Sequence, residues 1–240
     1  MGPMDVALFR DTSSGPRRPK PTGQGGGPGD PPGKEPMFNA PWPALLLVAS
    51  IIGGYALQSR FPIDMVVAAG AFYPAALGEG RWATLVTALF LHGGWGHALM
   101  NGAFALAFAA AVSRFFGERL LGVVSFFAFY LTCGVLANLA YAALHPGGLE
   151  PLVGASGAVS GLMAAGARLL AGHGWLGPIR SRMVLGMGAA WVGLNLLIGL
   201  IGSAFLPGTG GAGVAWEAHI AGFLAGLVLV RPFAWLAHRA

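Results

Sequence analysis

The chain is short of charge. Only 10% of its 240 residues are Asp, Glu, Lys or Arg, against 55% hydrophobic, where a soluble domain carries about 25% charged residues. So sparse a set cannot solvate a globule of this length, and membrane embedding becomes the working assignment. Cysteine is almost absent too. Cys133 is the single thiol, which excludes an intrachain disulfide framework, and its place in an apolar run marks it as a small core residue. No H-E-x-x-H motif exists, and His92 and His97, which with His219 are the histidines that could converge, are five apart, a poor helical ligand spacing. No metal, cofactor or nucleic acid is therefore expected. The net charge of +5 is scattered between apolar stretches and forms no basic patch. There is no internal repeat, and no acid lies inside a stretch at the depth of the histidines, which argues against a transporter.

What is present divides at about residue 41. Residues 1–40 hold 8 Gly and 8 Pro with few large apolar side chains. Such a segment cannot bury enough surface to offset its ordering entropy, so residues 1–41 are expected to form a disordered tail. It does not read as a signal peptide, because the first apolar run starts only near Trp42. From there residues 42–240 form one membrane domain with six apolar stretches, at about 42–58, 97–116, 120–144, 155–172, 183–206 and 218–236. Each is near the roughly 20 residues that cross a bilayer core. Residues 60–96 are also apolar, but Pro62, Gly70, Pro74, Gly78, Gly80, Gly93, Gly94 and Gly96 break them. Broken backbone cannot face lipid tails at depth, so a folded loop partly in the outer interface is expected, with a re-entrant hairpin as the alternative.

Counting Lys and Arg gives a direction. With the tail inside and the spans alternating, 12 of the 14 fall on inner segments and only Arg60 and Arg81 on outer ones. Basic residues stay on the cytoplasmic side, so both termini are expected there. The fold class is then all-α, a polytopic six-helix bundle.

Polar residues within spans are costly and usually face the protein interior. Asn138 and Asn195 stand alone in their helices, and interhelical hydrogen bonding accounts for them. The others gather at one depth. His97 and Asn101 lie at the outer end of the second span, Ser156 at that of the fourth, and His219 at that of the sixth. Ser156 is flanked by Gly154 and Gly157, which let the backbone bend and bare its amides at a helix start, where negative charge is stabilised. Gly157 and Gly161 on the fourth span, and Ala218, Gly222 and Gly226 on the sixth, repeat at four-residue spacing and let these two helices approach closely. Close approach is what a Ser–His hydrogen bond of roughly 2.6–3.2 Å requires. His97 and Asn101, four apart, share a helix face and can both donate hydrogen bonds. Of the outer acids Asp64, Glu79, Glu150 and Glu217, only Glu217 is near His219, and it is expected to point elsewhere, leaving a Ser–His dyad.

Three motifs in order resemble the rhomboid family of intramembrane serine proteases, over roughly residues 42–237. They are His92-Gly-Gly-Trp-Gly-His97 running on to Asn101, Gly154-Ala155-Ser156-Gly157, and Ala218-His219-Ile220-Ala221-Gly222. The resemblance implies a serine endopeptidase of the bacterial six-helix type. Ser156 would be its nucleophile and His219 its general base, with the Ser156 N–H, His97 and Asn101 as oxyanion hole. It implies single-span membrane protein substrates, cut in or near their transmembrane helix, a setting in the bacterial plasma membrane, and a site facing outward. The alternative is an inactive relative that binds or escorts membrane helices, although such relatives generally lack the Ser or the His. Two positions depart from the family pattern. Many relatives carry an aromatic residue four after the nucleophile, where this chain has Ser160. Arg81-Trp82 stands where the family has a Trp-Arg pair, out of register.

Overall fold

A computed structural model describes residues 40–201 and 214–239. The tail expected over 1–41 lies almost wholly outside those residues, as does the end of the fifth span.

Among the described residues eight α-helices follow in order: α1 (Trp42–Gln58), α2 (Ile63–Gly70), α3 (Thr84–Thr87), α4 (Trp95–Phe116), α5 (Leu120–Leu144), α6 (Ser156–Ala171), α7 (Arg182–Ile201) and α8 (Trp216–Ala237). Pro43 opens α1, in the first turn where its missing N–H costs nothing. Gly117 ends α4 at φ +87°, a conformation that favours glycine. α1 and α4–α8 occupy the six apolar stretches, so the chain is an all-α, multi-pass membrane protein. α4, α5, α7 and α8 are each long and apolar enough to cross a bilayer, and α1 and α6 are shorter apolar helices.

α6 is the axis of the bundle. Every residue from Gly157 to Leu169 is buried, because α4, α5, α7 and α8 all pack on it. At 16 residues it is about 24 Å long, less than the roughly 30 Å of a hydrocarbon core. Small residues permit this crowding. A Cβ on Gly157 would meet that of Ala137 at 2.6 Å, and one on Gly161 would meet Cys133 Cβ at 2.6 Å. Arg168, in the last turn, is buried with its charge on backbone carbonyls, donating from Nε to Gly177 (3.0 Å) and from Nη1 to Leu227 of α8 (2.8 Å). α7 is the contrast. Leu185, Leu194, Leu196, Leu197 and Leu200 all stay exposed on it.

Residues 60–96 fold into α2, α3 and two short 3-10 turns, Pro74–Leu77 and Ala88–Phe90. Side chains and backbone pin this segment down. Arg81 Nη2 donates to the Ala68 carbonyl near the end of α2 (2.8 Å). Gln58 clasps the His92 backbone, donating to its carbonyl (2.6 Å) and accepting from its N–H (2.9 Å). Asn138 Nδ2 of α5 donates to the Leu85 carbonyl (2.9 Å). His92 itself is fully buried, with neither ring nitrogen in a hydrogen bond. Burial pushes its pKa down from 6.5 to about 3, and neighbouring His97 pushes the same way against a weaker pull from the Phe90 carbonyl.

Candidate active site

Ser156 begins α6 because the chain before it is held out of helical geometry. Phe72 and Leu152 exchange antiparallel backbone bonds (3.0 and 2.7 Å), and Gly154 N–H donates to the Ala88 carbonyl (2.9 Å). Gly154 then turns at φ +124°, a conformation L side chains rarely adopt. Its bareness is needed twice, since a Cβ there would lie 2.7 Å from His97 Cε1 and Nε2. The first-turn amides of α6 have no intrahelical partner, so the helix start presents N–H groups beside the Ser156 hydroxyl.

The structure brings Ser156 and His219 together. His219 Nε2 lies 2.7 Å from Ser156 Oγ. Glycine makes the approach possible, because a Cβ on Gly222 would run into the Gly157 carbonyl and one on Gly226 into that of Gly161. The four-residue spacing of small residues therefore marks a backbone-to-backbone contact of α6 with α8. Glu217 points away from the pair, as the sequence suggested, and binds His145 Nε2 at 3.1 Å.

His97 and Asn101 flank the same turn. Asn101, buried, donates from Nδ2 to the His97 carbonyl at 3.2 Å. His97 Nδ1 accepts a long bond from the Gly93 N–H at 3.4 Å. A neutral imidazole with one accepting nitrogen carries its proton on the other, so Nε2 of His97 is the donor, at the edge packed on Gly154. All four residues line one largely apolar cavity of about 200 Å³.

Two residues of α7 complete the cluster and were not singled out from the sequence for this site. Asn195 Oδ1 lies 2.6 Å from His219 Nδ1. Trp191 sets its ring 5.9 Å from that of His219, tilted by 34°. Ser160, at the position where many relatives carry an aromatic, instead returns its hydroxyl to the Ser156 carbonyl at 2.7 Å. The four-residue spacing of Trp191 and Asn195 was visible in the sequence. Which way that face of α7 turns was not.

Chemically, the arrangement offers a hydroxyl bonded to an imidazole, amide and side-chain donors next to it, and an apolar wall. It suits acyl transfer, in which a negative oxygen develops close to bare N–H groups.

Comparisons with known proteins bear on the family of the chain. A family model described as "Rhomboid domain" matches residues 79–236. The chain is also 35% identical over 91 residues to "Putative rhomboid protease YdcA" of Bacillus subtilis (strain 168). That alignment covers 38% of this chain and 42% of the relative, so the chain spans less than half the length of the curated protein it matches.

Proposed function

The chain belongs to the rhomboid family, and from that premise we propose that it is an intramembrane serine endopeptidase. The observation that carries the proposal is the 2.7 Å contact of Ser156 Oγ with His219 Nε2, between two residues 63 apart on separate helices.

In this reading Ser156 Oγ attacks the scissile carbonyl carbon while its proton passes to His219 Nε2. The carbonyl becomes a tetrahedral oxyanion, received by the Ser156 N–H and the side chains of His97 and Asn101. Collapse of that intermediate breaks the C–N bond, and His219 returns the proton to the departing amine. The acyl group, now an ester on Ser156, is attacked by a water that gives a proton to His219, and His219 passes that proton to the departing Ser156 Oγ as the acid is released. A Gly at 154 and short packing at Gly157 keep the donors and the nucleophile on one turn.

The substrates are single-span membrane proteins, which reach the apolar cavity from the bilayer. The protein sits in a bacterial inner membrane with both termini cytoplasmic, residues 1–41 as a tail there, and its site toward the outer side. The distribution of Lys and Arg supports that orientation.

The test is cleavage of a model transmembrane substrate by purified protein, together with labelling by a fluorophosphonate probe. Ser156→Ala and His219→Ala should abolish both while leaving the protein folded. Cleavage that persists in Ser156→Ala would remove this residue from the mechanism.

A further inference from the structure

We propose that Asn195 is a positioning residue for the catalytic base, fixing which nitrogen of His219 carries the proton. The proposal rests on the Ser156–His219 reading and deepens it.

An amide can present either its oxygen or its nitrogen, and the hydrogen-bond network decides which. Asn195 Nδ2 donates to the carbonyl of Trp191, one turn earlier on α7, at 2.8 Å. A carbonyl only accepts, so the amide nitrogen is committed to it. The oxygen therefore faces His219 Nδ1, at 2.6 Å. That oxygen also only accepts, so Nδ1 must carry the proton. A neutral imidazole has one donor and one acceptor nitrogen, and Nε2 is left bare toward Ser156 Oγ at 2.7 Å. A backbone carbonyl, an amide and an imidazole thus form one directed chain whose outcome is the tautomer able to take the serine proton. With the other tautomer Nε2 would itself be a donor and could not act as base.

α7 supplies the ring support as well. Trp191 lies against the imidazole, while Ser160 on α6 is engaged with its own helix. Asn195 is nearly fully buried, at 1% exposure, so little of its amide is open to competing water. Its neutrality also matters. When Nε2 takes up the proton, both imidazolium N–H groups keep oxygen partners, and no resting carboxylate has to be held inside the membrane.

A bond that merely ties α7 to α8 would hold Asn195 in the same place, so the test reads the tautomer and the rate together with stability. The full chain in detergent is labelled with 15N-histidine, and His219 is assigned by difference from His219→Ala. Wild type should show His219 protonated at Nδ1. Asn195→Leu, similar in size but without an acceptor, should show a mixture. It should also lower kcat and the fluorophosphonate labelling rate by about 10–100-fold, the range seen when metal-bound histidines lose an orienting partner, with KM little changed. Asn195→Asp keeps an acceptor in place and should keep the Nδ1–H tautomer, labelling faster than Asn195→Leu. Should Asn195→Leu fail to fold, Asn195→Ala takes its place against Asn195→Asp. An unchanged His219 tautomer in Asn195→Leu or Asn195→Ala, or labelling at the wild-type rate, overturns the proposal. Labelling of Ser156→Ala or full activity of His219→Ala would instead bring down the Ser–His reading itself.

Discussion

A single methyl group at Gly222 should disable the protein. Gly222 sits one turn along α8 from His219, against Gly157 of α6. A Cβ there would lie 2.8 Å from the Gly157 carbonyl carbon and run into its oxygen, where ordinary contact begins at 3.4 Å. Backbone cannot swing aside as a flexible side chain can, so the helices must part by roughly 1 Å, at an overpacking cost of about 1–3 kcal/mol. The Ser156–His219 bond crosses the same interface at 2.7 Å, and a further ~1 Å takes it past the roughly 3.2 Å reach of a nucleophile and its base. Loss of general-base assistance lowers rates by about 10²–10⁴-fold, equivalent to ~2.7–5.5 kcal/mol of transition-state stabilisation. Cleavage of a transmembrane substrate and fluorophosphonate labelling should fall together in Gly222→Ala, with earlier thermal unfolding. Gly53→Ala and Gly186→Ala are the controls, since a Cβ at either meets nothing within 4 Å. Both should be fully active and no less stable, because alanine favours a helix over glycine by about 1 kcal/mol. A folded Gly222→Ala protein with kcat within about threefold of wild type, ~0.65 kcal/mol, would refute the reasoning that the glycine contact sets the Ser–His distance.

Two further outcomes are expected. His92 is held neutral in the fold, with its pKa at about 3 against 6.5 when unfolded, so the unfolded chain binds the extra proton. Its contribution is complete above pH 6.5 and is lost as pH falls toward 3, at no more than about 1.4 kcal/mol per pH unit. The free energy of unfolding should therefore fall less steeply with falling pH across that window in His92→Gln than in wild type, and equal slopes would contradict the assignment. Arg81→Ala should free the end of α2 by removing the bond to the Ala68 carbonyl. The cost should be below about 1 kcal/mol, because the side chain is solvent-accessible. Amide hydrogen exchange over residues 63–70 should quicken, and unchanged exchange would show that this bond does not anchor α2.

Much of the fold is legible from length and hydropathy. The stretches at 97–116 and 183–206 differ from α4 and α7 at their starts by only two residues and one, Trp95 and Arg182. Membranes make this so, because every spanning backbone must satisfy its own amides and a helix is the simplest way. The pairing of α6 with α8 was legible from the four-residue spacing of glycine and alanine, since close approach needs small side chains wherever it occurs. The partner of Asn195 was not. Residues 183–201 are apolar on every side, so no periodicity marks which face of α7 turns inward, and a lone amide in such a run fits any neighbour. The same limit applies to residues 60–96. Glycine and proline announce broken structure there, but the bonds of Gln58 to His92 and of Arg81 to Ala68 join positions 34 and 13 apart, separations that local rules do not reach.

The enclosure of α6 has a consequence for how the protein meets different bilayers. A membrane that thickens or thins acts on the surfaces touching its lipids, and those helices answer by tilting. From Gly157 to Leu169 every residue of α6 is buried, so it offers lipid almost no surface. Hydrophobic mismatch is thus absorbed by the outer ring, while the helix that bears Ser156 is positioned by protein alone.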